Sequence, residues 1–77
     1  MHHFNIHICC RSQVQAFVAL AMVQPFEVLV GNEKQQINGK SFMGMFSLDY
    51  HRPVRVSVKC SEEEFSRFKQ AAAAALG

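Results

Sequence analysis

Phe4, Ile6 and Ile8 alternate with Asn5, His7 and Cys9, the two-residue period of a strand with one buried face. From Ser12 to Gln24 the period changes. Val14, Phe17, Val18 and Ala21 fall at i, i+3, i+4 and i+7, the inner stripe of a helix. Ser12 offers a starting cap, and Pro25 turns Gln24 away from helical geometry. Ala16, Ala19, Leu20, Met22 and Val23 leave this helix only a thin polar face. Such a helix is either deeply buried or lends part of its surface to a partner.

Glu27-Val28-Leu29-Val30 reads as a second strand, and Gly31-Asn32 begins a turn from which Gln35-Gln36-Ile37-Asn38 returns as a third. Lys40 and Ser41 precede a short helical stretch from Phe42 to Leu48, with Ser41 placed to cap it. Val54, Val56 and Val58 alternate with Arg55, Ser57 and Lys59 in the clearest strand of the sequence. Ser61-Glu62-Glu63-Glu64 has the form of a capping box, with acids in the turn where the helix dipole favours them. Phe65, Phe68, Ala72 and Leu76 then share one face of a last helix. The predicted order is βαββαβα. It belongs to the α/β (α+β) class, with an antiparallel four-stranded sheet and three helices on one face.

The chain has 77 residues, which predicts one domain spanning 1–77, since a second would lack a core of its own. A chain of this size buries only about 60% of the surface its unfolded form exposes, so its apolar pattern must be efficient. With 49% hydrophobic and 18% charged residues, the composition is that of a folded chain rather than a disordered one. A net charge of +2 from eight scattered lysines and arginines gives no reason to expect nucleic acid as a partner, which would need a clustered basic patch. The longest apolar run, Ala16 to Val23, is far short of the roughly 20 residues of a membrane span, so no membrane insertion is expected. No tripartite secretory signal opens the sequence, and a cytoplasmic location is expected.

Three cysteines, two of them adjacent at Cys9 and Cys10, make a poor disulfide framework and fit a reducing compartment. Cys60 reads as a small buried hydrophobe. His2, His3, His7 and His51 do not form a metal set: His3 and His7 share a strand face but lie about 13 Å apart. No metal and no cofactor are expected.

The element order, with Lys40-Ser41-Phe42-Met43-Gly44-Met45-Phe46-Ser47-Leu48 in its middle, resembles HPr, the histidine phosphocarrier family of the bacterial sugar phosphotransferase system. The family pattern there is close to K-S-I-M-G-x-x-S-L, and Phe42 replaces its isoleucine. The likeness covers nearly the whole chain and needs no gap from about Cys10 to Val58. It implies the HPr-like open-faced sandwich, a phosphocarrier-like rather than free-standing enzymatic role, and phosphotransferase proteins or a regulator of carbon use as partners.

The family's phospho-accepting segment, G-[IL]-H-A-R-P-A, sets a histidine at the mouth of the first helix, where backbone N–H groups and an arginine hold the phosphate. Without gaps, Cys10 stands at the histidine, Arg11 at the alanine, Ser12 at the arginine and Gln13 at the proline. The chain is thus identified as an atypical member lacking the active-site histidine. A one-residue slip would align Cys9 with the histidine and Arg11 with the arginine, but it turns Val14, Phe17 and Val18 off the core by roughly 100°. In the gapless frame Arg11 points away from the family's arginine, and only a shortened loop returns its side chain.

Several roles stay open on the sequence alone. Cys9 and Cys10 either fill a degenerate loop as small, semi-buried residues, or Cys10, with Arg11, works as a phosphocarrier or redox-sensitive thiol at a helix mouth. His7 is a fallback acceptor within the first strand. Ser41 matches the serine that a dedicated kinase phosphorylates in Gram-positive relatives, and it is equally a plain helix cap. The resemblance also implies partner docking through Gln15, Phe42, Met43 and Phe46, although Met43 or Met45 can instead be core. A pure protein-interaction domain without phosphorylation is the remaining alternative.

Overall fold

Valines at 54, 56 and 58 point one way from a strand that pairs on both edges, and this strand organises the sheet. The computed structural model describes residues 1–32 and 34–76. Its elements are β1 (His2–Ile6), α1 (Arg11–Met22), β2 (Val28–Gly31), β3 (Gln36–Asn38), α2 (Phe42–Phe46), β4 (Val54–Val58) and α3 (Glu62–Leu76). The strands lie in the order β1-β4-β2-β3, and every pairing is antiparallel. Phe4 faces Val56, Val56 faces Val30, and Val30 faces Ile37, so one row of apolar side chains crosses all four strands. The helices cover that face.

The core joins Val28, Val30, Val54, Val56 and Val58 from the sheet to Val14, Phe17, Val18 and Ala21 from α1. Phe68 of α3 lies at its centre, with ring centroids 5.9 Å from Phe4, 5.9 Å from Phe17 and 5.7 Å from Phe26. Burial of each such side chain contributes about 1.5–3 kcal/mol, and tilted ring pairs add to it. On the uncovered face, alternation places His3, Asn5, Leu29, Gly31, Gln36, Asn38, Arg55 and Ser57. Ser57 is buried there, and His3 Nδ1 is its hydrogen-bond partner at 2.8 Å from Oγ.

Helix ends follow local chemistry. Ser41 Oγ accepts from the Gly44 N–H at 3.2 Å and starts α2. At α3 the box is complete: Ser61 Oγ accepts from the Glu64 N–H at 3.2 Å, and Glu64 Oε1 accepts from the Ser61 N–H at 3.1 Å. Lys40 Nζ donates to the Gln24 carbonyl at 2.8 Å, tying the segment after α1 to the entry of α2.

Several expected boundaries move. α1 begins at Arg11 rather than Ser12, because the Cys10 carbonyl already accepts from Gln13 and Val14. Its last helical residue is Met22, with Val23 as C-cap. β1 ends at Ile6, although Ile8 continues the alternation and is buried. β2 and β3 each begin one residue later than their patterns suggest, and α2 stops at Phe46. Among the described residues, no helix is long and apolar enough to cross a membrane.

Candidate functional site

The mouth of α1 is built from a short exposed turn. Cys10 is the N-cap in extended geometry, with φ −153° and ψ 167°. Its thiol sits 3.1 Å from Ser12 Oγ. The Ser12 hydroxyl and the Gln13 backbone N–H lower the Cys10 pKa, because both stabilise a thiolate more than a thiol; slight desolvation opposes them. Cys9 Sγ lies 3.9 Å from His7 Nδ1. Both Cys9 and Cys10 are exposed, so they do not fill the turn as semi-buried packing residues.

Gln13 stitches this turn to the other end of the chain. Its Oε1 accepts from the Cys9 N–H at 2.6 Å, and its Nε2 donates to the Leu76 carbonyl at 3.0 Å. Nothing in the sequence pattern marks Gln13, because its partner in α3 is distant in sequence.

Arg11 reaches sideways. Its guanidinium lies 5.5 Å from the centroid of the Phe46 ring, a cation–π contact between α1 and α2. Phe46 stacks with Phe42 at 6.4 Å between centroids. A cavity of ≈ 220 Å³ lies between the helix mouth and α2, where Cys9, Cys10 and Arg11 face Phe46 and Tyr50. Tyr50 is fixed in it by donating its hydroxyl proton to the Met45 carbonyl, and burial raises its pKa.

Beside this cavity α2 presents apolar surface to solvent. Met43 is 83% exposed, Phe42 41% and Phe46 42%. Met45 turns inward and is buried. On α1, Gln15 is exposed, as are Met22 and Val23 near its end, so the apolar excess of that helix is not wholly consumed by the core. Ser41 is half-buried at the start of α2.

The other noted residues stand apart. His51 pairs with Asp49 at 2.6 Å. Asp49 has a lowered pKa because it accepts from the His51 N–H and ring. Cys60 is half-buried against the core. Burial raises its pKa, aided by the charge of Glu64. Among the described residues no three histidine, cysteine or acidic side chains lie close enough together to hold one metal ion.

No family model matches the sequence, and no curated protein matches it. Among solved structures the chain is similar to HPr-C-His from Thermoanaerobacter tengcongensis, with a TM-score of 0.74 and 23% identity, covering 100% of this chain and 97% of that one. The shared architecture is the HPr-like open-faced sandwich: βαββαβα, with four antiparallel strands and three helices on one face.

Proposed function

We propose that the chain is a regulatory, HPr-like docking domain of a phosphoenolpyruvate-dependent sugar phosphotransferase system. In this reading partners seat on Phe42, Met43 and Phe46, with Gln15 and Arg11 at the margin. Phosphorylation of Ser41, rather than transfer through a histidine, controls that docking. The observation that carries the reading is the exposure of Phe42, Met43 and Phe46 directly after Ser41. Large apolar side chains left in water beside a modifiable hydroxyl fit a partner surface better than a fold requirement. A phosphoryl dianion on Ser41 would add charge and three acceptor oxygens at the edge of the apolar patch and so alter what can seat there.

A second reading rests on Cys10. An exposed thiol with a lowered pKa at a helix mouth is chemically competent as a nucleophile, and a gapless reading of the sequence against the family pattern, in which Cys10 falls at the phospho-histidine, supports this role. Cysteine phosphotransfer or redox sensitivity would then be the role of Cys10, with Arg11 beside it.

The test of the main reading is intact mass after incubation with ATP and an HPr serine kinase. A gain of one phosphate that disappears in Ser41→Ala supports it. No gain, or a gain that persists in Ser41→Ala, removes Ser41 from the account and leaves a docking domain alone.

A further inference from the structure

At the end of the sheet where the β2–β3 turn meets the loop entering β4, two shallow concavities of ≈ 480 Å³ and ≈ 160 Å³ adjoin, with Asn32 and Pro53 lining both. Lys34 and Arg52 line the larger, and Arg55 lines the smaller. Lys34 thus joins two arginines of a segment remote from it in sequence on one surface. Among the described lining residues the opposing charge is Asp49, and its Oδ1 already accepts from the His51 N–H and lies 2.6 Å from the His51 ring. None of these residues lines the cavity at Cys10.

We propose that this end of the sheet binds a small, multiply charged anion of the phosphate class. Two arginine forks and an ammonium suit an ion with several charged oxygens, whereas a single carboxylate would satisfy only one fork. Asn32 adds neutral donors: its Oδ1 accepts from the Lys34 and Gln35 N–H groups at 2.9 Å and 3.0 Å, so its Nδ2 hydrogens stay available. Gly31 faces Arg55 across the ladder and lines the smaller concavity with backbone alone. The larger volume falls in the range of small-molecule sites. Among the described residues no aromatic side chain lines either concavity, so they offer no stacking platform of the kind that a single-stranded nucleic acid uses.

The test is an amide-shift titration of the full, isotope-labelled chain with inorganic phosphate at low ionic strength, with chloride at matched ionic strength as control. Saturable shifts should centre on the amides of Gly31, Asn32, Lys34, Arg52, Val54 and Arg55. The Arg52→Gln/Arg55→Gln double variant should weaken binding by about tenfold or more, and Lys34→Gln should weaken it independently. Arg11→Gln should leave it unchanged. All four side chains are exposed, so the spectrum away from the site reports that each variant is folded. Shifts centred on residues 10–13, equal shifts with chloride, undiminished binding in the double variant, or no saturable shift at millimolar phosphate would each overturn the proposal.

Discussion

The Cys10 thiol stands 3.1 Å from the Ser12 hydroxyl at the first turn of α1, and that contact is the largest cause of its lowered pKa. Cys60, half-buried, has its pKa raised by burial and by Glu64. The two thiols should therefore separate in a pH series of alkylation rates. In a Cys9→Ser background, Cys10 should reach half-maximal rate at lower pH than Cys60, because the thiolate is the nucleophile. Ser12→Ala should move the Cys10 midpoint upward. A Cys10 midpoint at or above that of Cys60 would contradict the geometry.

The Ser61–Glu64 box satisfies two N–H groups that α3 would otherwise leave unpaired. Ser61→Ala should cost about 1 kcal/mol, a fall of roughly 4–8 °C in Tm for a domain this small. Thermal unfolding followed by circular dichroism checks it.

Phe68 and Met43 should respond in opposite ways. Phe68 is 1% exposed among three other rings, and Phe68→Ala should cost about 3–5 kcal/mol. Much of a small domain's stability would go with it. Met43→Ser should stay within about 0.5 kcal/mol of the parent, since the side chain is 83% exposed. It should instead weaken partner binding. Denaturant unfolding separates the two outcomes.

Two glycines also differ. A Cβ on Gly31 would overlap the Gln35 carbonyl and approach the Gln36 Cα at 2.9 Å, where the turn is closed by the Asn32 N–H donating to that same carbonyl at 2.8 Å. Gly31→Ala should destabilise by about 1–3 kcal/mol. A Cβ on Gly44 would meet Ile37 Cδ1 at 3.5 Å, ordinary contact. Because Gly44 lies inside α2, Gly44→Ala should stabilise by about 0.5–1 kcal/mol. The comparison is again one of unfolding free energies.

Much of the fold was legible because its signals are local. The alternation of Val54, Val56 and Val58, the Ser41 cap and the Ser61 box each follow from adjacent residues, and each appears in the structure. The start of α1 was not legible, since cysteine is a poor N-cap and makes no side-chain cap bond here; the cap rule pointed to Ser12 instead. Ile8 preserved the strand period while β1 had already ended, because burial and ladder pairing part company at the turn. At the site, the inward turn of Met45 and the exposure of Met43 needed the helix phase of α2. The exposure of Cys9 and Cys10, the Gln13–Leu76 bond and the convergence of Lys34, Arg52 and Arg55 depend on chain segments remote in sequence. No local pattern contains them.

We propose that the mouth of α1, where the resemblance to the HPr pattern would set Cys10 at the histidine position, is not a phosphate carrier. The most direct measurement is the intact mass of the chain after incubation with phosphoenolpyruvate and the general phosphotransferase enzyme, with a histidine-bearing HPr in the same tube. The histidine-bearing protein should gain one phosphate and this chain none. A phosphoenolpyruvate-dependent gain of one phosphate here, lost in Cys10→Ala, would contradict it.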